Sequence, residues 1–189
     1  MKSLTQHISE KLVLNSNSKI RKREYDYHPT TKEELVEIIK AEVEKNGWEC
    51  SLNHIDVSQI HDMSRLFSAH IIKGFKLGEF NGDISEWDVS NVFDMSSMFS
   101  EAYSFNQPIG DWDVSKVKDM QHMFQSAKSF NQPISDWDVS NVEDMHDMFY
   151  RSKSFNQDLS NWNINKKCNT NEMFYYCDIK EEYKPKFNK

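Results

Sequence analysis

A 25-residue repeat constrains the fold of this chain more than any other feature of its sequence. The stretch SFNQPIGDWDVSKVKDMQHMF, which begins at Ser104, returns 25 residues later as SFNQPISDWDVSNVEDMHDMF. The same interval separates successive tryptophans, Phe-Asn-Gln motifs and Met-Phe pairs. A fixed period of this size is typical of repeat proteins, in which each unit buries its apolar face only against its neighbours.

The residues that recur unchanged are those that a stacked core requires. The positions predicted to form structural ladders are Trp87, Trp112, Trp137, Trp162, Asn106, Asn131 and Asn156. We predict that the tryptophans point into the core. We predict that the asparagines are buried and hydrogen-bonded, because an inward return loop leaves backbone groups without partners and a stacked amide both donates and accepts.

Two hydrophobic spacings alternate within one repeat. The first is the spacing of a leucine-rich-repeat strand, shown by Ile84, Trp87, Val89 and Val92. The second is the i, i+3, i+4, i+7 spacing of a short helix, shown by Met95, Met98, Phe99 and Ala102. The sequence therefore predicts an α/β solenoid, a leucine-rich-repeat-like stack of four to five strand-plus-short-helix coils.

The segments on either side of the repeats differ from them in pattern. Thr31 and Glu34 have the spacing of a capping box before an amphipathic stretch, which predicts a helix that covers the first coil. The predicted organisation is an N-terminal arm with a helix and a basic linker (1–28), an N-terminal capping helix (29–51), the solenoid (52–174) and a C-terminal cap or tail (175–189).

The repeated pattern W-[DN]-[VI]-S-x-V-x-x-M-x-x-M-F, combined with F-N-Q-x-[IL], closely resembles the BspA-like family of leucine-rich-repeat proteins, abundant in mycoplasmas and gut bacteria. The resemblance covers about residues 52–174. It implies a short right-handed solenoid in a protein of bacterial or phage origin. Members of that family are typically secreted or surface-anchored and bind host or partner proteins, so the resemblance also implies a binding scaffold.

Charge and cysteine content restrict the partners and the compartment. The chain has a formal charge of -7, and residues 80–165 contain 14 acidic and 5 basic side chains. Phosphate binding needs an excess of Lys and Arg, so we expect no nucleic-acid partner outside the basic cluster Lys19–Arg23. The three cysteines have no metal-binding spacing, and no signal peptide or membrane span is apparent, so we expect a cytoplasmic protein with reduced thiols.

Candidate partner-binding residues are the varying positions on the predicted strand face. They are Glu86, Asp88, Asn91, Asp111, Asp113, Lys116, Asp136, Asp138 and Asn141. The three aspartates that follow a tryptophan have two interpretations. Either each accepts hydrogen bonds from the Ser two residues later, or together they form a ridge for a cation or a basic partner.

The sequence has few features of an enzyme or of a metal site. His122 and His146 lie near Asp119, Asp144 and Asp147 in successive repeats, but without a zinc-type spacing. No phosphate-binding glycine loop, nucleophile elbow or Cys–His pattern is apparent. We therefore expect no catalytic residues, no metal and no cofactor.

The sequence favours a non-enzymatic scaffold that binds a protein with a basic surface through the strand face, without a membrane and as a monomer. One alternative is an assembly protein that self-associates through the N-terminal arm or the solenoid ends. A more remote alternative is a metal-dependent hydrolase that uses the His and Asp positions.

Overall fold

The computed structural model describes residues 24–69 and 77–187 of the chain. Most of the predicted N-terminal arm, including its basic cluster, lies in residues 1–23, outside the described residues. Residues 70–76, which fall within the insertion of the first repeat, also lie outside them.

Helix α1 (Lys32–Asn46) precedes the repeats and begins at a complete capping box. The Thr31 side chain accepts a hydrogen bond from the Glu34 backbone, and the Glu34 carboxylate accepts one from the Thr31 backbone. Gly47 ends the helix with φ 86°, a conformation that L side chains rarely adopt. Leu35, Ile39 and Val43 are buried in the same core as the repeats. No helix in the described ranges is both long enough and apolar enough to cross a membrane.

We number the repeats from Leu52: repeat 1 (52–83), repeat 2 (84–108), repeat 3 (109–133), repeat 4 (134–158) and repeat 5 (159–183). Backbone hydrogen bonds join each repeat to the next, with a constant offset from repeat 2 onward and a longer one between repeats 1 and 2. For example, Met95 N–H donates to the Asp119 carbonyl and Phe99 N–H to the Met123 carbonyl, both at 2.9 Å. The repeats therefore stack in register, as their sequence period predicts.

The predicted α/β solenoid of strand-plus-short-helix coils is wrong, and the leucine-rich-repeat assignment fails with it. Among the described residues there is no strand and no sheet. Extended pairing is limited to isolated parallel bridges between single residues, one between Tyr27 and Ile55 and the others between successive repeats. The longest line of these bridges runs through Asp62, Asp94, Asp119, Asp144 and Asn169. The described part has only one α-helix, α1, and two 3₁₀ turns, Leu77–Glu79 and Glu181–Tyr183.

Tight turns replace both predicted elements within each repeat. Where a strand was expected, Trp87 N–H donates to the Ile84 carbonyl and Val92 N–H donates to the Val89 carbonyl. The chain therefore turns every few residues. Where a short helix was expected, Met98 N–H closes a turn on the Met95 carbonyl. The alternate N–H groups of that segment donate to the next repeat, so the i to i−4 bonds of an α-helix cannot form.

Two columns of non-glycine residues with positive φ accompany these turns. Column A consists of Arg65, Ser97, His122, Asp147 and Glu172, with φ between 52° and 59°. Column B consists of Glu101, Ser126, Arg151 and Tyr176, with φ between 56° and 59°. Residues of this kind are strained by about 1–2 kcal/mol each. In repeats 1–4 these residues donate their backbone N–H to the next repeat, which offsets the strain.

The strain in column A should be measurable at Ser97. Ser97→Gly should leave the free energy of unfolding unchanged or raise it, because glycine adopts positive φ freely. Ser97→Val should lower it by about 1–2 kcal/mol, because a β-branched side chain is poorly tolerated there. Urea unfolding of both variants measures the difference. The control is Ser96→Val, at a neighbouring residue without positive φ. Equal losses for the two valine variants would contradict the conformational argument.

The core of the stack consists of aromatic columns. The four ladder tryptophans, Trp87, Trp112, Trp137 and Trp162, are each 3–4% exposed. Each donates its indole N–H to a backbone carbonyl of the preceding repeat at 3.0–3.3 Å. Beside them, Phe99, Phe124 and Phe149 stack with ring centroids 5.5 Å apart. Repetition of the same large side chain fills the same space in every layer.

The repeated asparagines form a hydrogen-bonded ladder. The Asn106 side-chain oxygen accepts from Asn131 N–H, and the Asn131 oxygen accepts from Asn156 N–H, both at 2.9 Å. The Asn156 oxygen accepts from Lys180 N–H, which continues the ladder into the C-terminal segment. The predicted burial is wrong for Asn131, which is exposed. The ladder therefore runs along the surface and still joins the repeats.

The C-terminal segment, residues 175–187, comprises the end of repeat 5 and the described residues after it. Tyr183 accepts a backbone hydrogen bond from Leu159 at 2.8 Å, and Ile179 is buried in the common core. The described part of the segment after residue 174 thus packs against the stack.

Candidate functional site

The nine predicted partner-binding residues lie in three columns on one side of the repeats, although no strand underlies them. The columns are Glu86, Asp111 and Asp136; Asp88, Asp113 and Asp138; and Asn91, Lys116 and Asn141. All are exposed except Asn91, which is half-buried. Lys116 Nζ donates to the Asn91 side-chain oxygen at 2.8 Å, so part of this surface is already engaged between repeats.

The aspartates of the middle column serve local turns. Asp88, Asp113 and Asp138 each accept a hydrogen bond at 3.0–3.1 Å from the backbone N–H of the Ser two residues later. Hydrogen bonds from Ser115 and Ser140 lower the pKa of Asp113 and Asp138 respectively. This arrangement matches the first interpretation of these residues, the Asx-type turn. It gives each of these carboxylates a hydrogen-bond partner within its own repeat.

A groove of about 690 Å³ lies among other residues of the stack. Its residues come from two vertical columns of the stack, column B and the positions two residues later. The lining consists of Glu101, Tyr103, Ser126, Lys128, Arg151, Lys153 and Tyr176. The residue type at these positions differs from repeat to repeat, whereas the core residues recur. The stacking of the repeats therefore does not determine which side chains line the groove.

Cation–π contacts organise the groove. Lys128 Nζ lies 4.4 Å from the centroid of the Tyr103 ring. Arg151 Cζ lies 5.0 Å from the Tyr150 ring and 5.8 Å from the Tyr176 ring. Tyr176 is 57% exposed, so its ring is available to a partner as well as to Arg151. Aromatic rings and cations are thus held next to one another before any partner binds.

The groove concentrates positive charge on an acidic protein. Residues 80–165 contain 5 basic side chains, and three of them, Lys128, Arg151 and Lys153, line this groove against one carboxylate, Glu101. Among the described residues, none of these three side chains forms an ion pair. That carboxylate accepts a hydrogen bond from the Tyr103 hydroxyl at 2.7 Å, which raises the pKa of Tyr103. The three cations are therefore open to an external anion.

Sequence reasoning did not identify this groove. It looked for binding residues on a predicted strand face, and the turns place the groove elsewhere. A usable signal was present, because Tyr103, Lys128 and Lys153 are separated by one period and Arg151 lies beside them. In a stack with a constant offset, residues one period apart are spatial neighbours.

A second cluster joins repeats 3 and 4. The rings of His122 and His146 lie 4.4 Å apart in an edge-to-face arrangement. With Asp147, each residue offers one metal-ligating atom, and these atoms lie within 4.8 Å of one another. Burial is the main cause that lowers the pKa of His122, and the nearby His146 lowers it further. The sequence noted these residues but did not predict a site, because their spacing is not that of a zinc motif.

The cysteines are poor nucleophiles at neutral pH. Cys50, Cys168 and Cys177 are free thiols and half-buried. Burial raises the pKa of Cys168 and of Cys177 to about 11. At neutral pH both side chains are therefore protonated rather than reactive thiolates.

Comparison with known families gives one match. A family model described as a mycoplasma protein of unknown function, DUF285, matches residues 39–132 and 69–186, and the two matches together cover most of the chain. No curated protein matches the chain, and no solved structure matches it.

Proposed function

For this chain, which belongs to the DUF285 family of mycoplasma proteins, we propose a protein-binding function carried by the aromatic–basic groove, that is, the groove lined by Tyr103, Lys128, Arg151, Lys153 and Tyr176. The supporting observation is that three of the five basic residues of an acidic repeat region converge there. The resemblance of the repeats to those of BspA-like proteins also supports a binding role.

The composition of the groove suits a protein partner. Tyrosine and arginine are enriched among the residues that dominate binding energy at protein interfaces. Tyr103 and Tyr176 are 38% and 57% exposed, so burial by a partner removes a large apolar area from water. Their rings are already placed by contacts with Lys128 and Arg151, which reduces the conformational entropy lost on binding.

The charge of the groove selects the partner. Three cations that form no ion pair with described residues attract carboxylates, and an arginine side chain can bind a carboxylate through two parallel hydrogen bonds. The groove also runs along several repeats, which suits an extended segment. We therefore propose an acidic segment of a partner protein as the occupant, in place of the basic surface expected from total charge.

The acidic columns are the competing surface. Of their carboxylates, those of Asp88, Asp113 and Asp138 already accept turn hydrogen bonds, and salt screens all exposed charges on this surface. Their role in binding stays a prediction, and the experiment below separates it from that of the groove.

The test is a peptide array that varies net charge from acidic to basic, probed with the full chain, followed by fluorescence polarisation on the peptides retained. The wild-type protein should retain acidic peptides with aromatic residues, and affinity should fall with salt. A variant with Lys128, Arg151 and Lys153 replaced by Ala should lose at least about tenfold in affinity, or 1.4 kcal/mol. Its melting temperature should fall by only a few degrees, because the side chains make no ion pairs in the described structure and exposed cation–π contacts are worth about 0.5–1 kcal/mol each.

A charge-matched control replaces Lys118, Lys166 and Lys167 by Ala, which removes the same number of positive charges outside the groove. It should bind like the wild type. An equal loss in both triple variants would show an effect of total charge and would overturn the groove proposal. The wild type could instead retain basic peptides, and the triple variant Asp88→Asn, Asp113→Asn, Asp138→Asn could lose them. That result would show that the acidic columns bind the partner and would overturn the groove proposal.

A further inference from the structure

We propose that His122, His146 and Asp147 form a binding site for a divalent transition-metal ion of the zinc class, which joins repeats 3 and 4. The site is separate from the aromatic–basic groove, since His122 and Asp147 belong to column A and the groove is lined by column B. The inference therefore does not depend on the proposed function.

The geometry is close to that of a coordination shell. One ligand atom from each residue lies within 4.8 Å of the other two, and His122 Nδ1 lies 3.6 Å from Asp147 Oδ2. Ligand atoms around tetrahedral zinc are about 3.3 Å apart when the zinc–ligand distances are about 2.0–2.2 Å. Small side-chain rotations are enough to close this difference.

Two polar atoms of the cluster have no hydrogen-bond partner in the described structure. His122 Nδ1 and Asp147 Oδ1 are buried and make no hydrogen bond. Buried polar atoms normally have partners, and an unpaired one indicates a missing partner or a functional role. A cation between the two side chains would satisfy both atoms at once.

The third ligand is oriented by a neighbouring carboxylate. His146 Nδ1 lies 2.7 Å from Asp144 Oδ1, which leaves Nε2 as the ring nitrogen with a free lone pair. Asp144 is itself held by the Asn169 side-chain amide at 3.2 Å. A carboxylate that supports a histidine in this way is the usual outer shell of a zinc site.

The backbone fixes the two repeats before any ion binds. His122 N–H donates to the His146 carbonyl at 3.0 Å. His122 and Asp147 both have φ 55° and occupy the same position in successive repeats. The ligands thus come from two layers whose spacing is set by the stack, which is why no short sequence spacing marks the site.

The donor set selects the ion. Two imidazole nitrogens and one carboxylate oxygen suit Zn²⁺, Co²⁺ or Ni²⁺, whereas Mg²⁺ and Ca²⁺ prefer oxygen ligands alone. An ion held by residues of both repeats stabilises the folded stack by mass action, since the unfolded chain does not keep the three ligands together.

Isothermal titration calorimetry of the full chain with ZnCl₂ tests the site. We expect one zinc ion per chain, a rise in melting temperature with zinc, and no response to MgCl₂. His122→Asn and Asp147→Asn each remove a ligand with a residue that tolerates positive φ. Each should weaken zinc binding by more than the 10–100-fold typical of outer-shell changes, whereas Asp144→Asn should stay within about that range.

The control is His54→Asn, which removes a histidine near Glu42, away from the cluster, and should leave zinc binding unchanged. Histidine ring resonances in the wild type provide a readout that needs no variant: zinc should shift those of His122 and His146. Absence of saturable one-to-one binding, unchanged affinity in both ligand variants, or shifts confined to other histidines would each overturn the proposal.

Discussion

Replacing Trp112 by alanine should lower the free energy of unfolding by about 3–5 kcal/mol. The side chain is 4% exposed, and its indole N–H donates to the Ile84 carbonyl of the preceding repeat at 3.3 Å. The ring also stacks on Phe99, with centroids 6.3 Å apart. Truncation leaves a cavity, and it also leaves a buried carbonyl without its donor. Both effects lower the free energy of unfolding. Urea unfolding followed by circular dichroism measures the loss.

The matched control for Trp112 is Phe93→Ala, a large aromatic of the neighbouring repeat that is 48% exposed. Its loss should stay within about 0.5 kcal/mol, as is usual for surface positions. Because whole domains have only about 5–15 kcal/mol of stability, the Trp112 variant should lose a large share of the total. A difference of less than about 1 kcal/mol between the two variants would mean that the tryptophan column does not hold the repeats together.

The part of the fold that the sequence predicted is the part determined by side-chain burial. Trp112, Met123 and Phe124 recur at the same positions in repeats 2–5, and all three are buried. Thr31 and Glu34 form the predicted capping box because a helix N-terminus leaves N–H groups that only a few side chains can satisfy. Both inferences depend on which side chains point inward or cap, and not on the path of the backbone between them.

The backbone path was not predictable by the same route. Met95, Met98, Phe99 and Ala102 are all buried, as a helix would make them, but a pair of tight turns places them inward equally well. The decisive residues, Ser97 and Glu101, adopt positive φ without being glycine. Such conformations are uncommon and have no sequence signal here, so the helical spacing was the stronger indication.

The candidate sites could not be found from short sequence motifs, because their residues come from different repeats. The groove combines Lys128 and Lys153 with Arg151, and these positions become one surface only when the constant offset between repeats is known. His122 and His146 are 24 residues apart, close to one period, so they lie side by side in the stack. Repeat alignment can find such pairs, provided that the chain is compared layer by layer rather than for short motifs.

A second large effect is expected from Gly82→Ala, which should lower the free energy of unfolding by about 3 kcal/mol. Gly82 is buried, and a Cβ atom there would overlap the carbonyl oxygen of Cys50 and lie 2.6 Å from the Phe80 ring. Neither obstacle moves easily, because the first is backbone and the second is a fully buried ring. Asn81 N–H donates to the Trp48 carbonyl at 2.9 Å, which holds the two segments at this distance.

The repeat itself supplies the matched control for this substitution. Gln107 occupies the position of Gly82 one repeat later, and its side-chain amide donates to the Asn81 carbonyl at 2.8 Å. The same amide also lies 3.2 Å from the Asn81 side-chain oxygen, so Gln107→Ala removes both hydrogen bonds to Asn81 and should cost about 1 kcal/mol. Glycine is therefore needed only in repeat 1, where the segment after α1 takes the space that a glutamine fills elsewhere. If Gly82→Ala unfolds at the same urea concentration as the wild type, that segment does not pack closely on repeat 1, and α1 does not close the end of the stack.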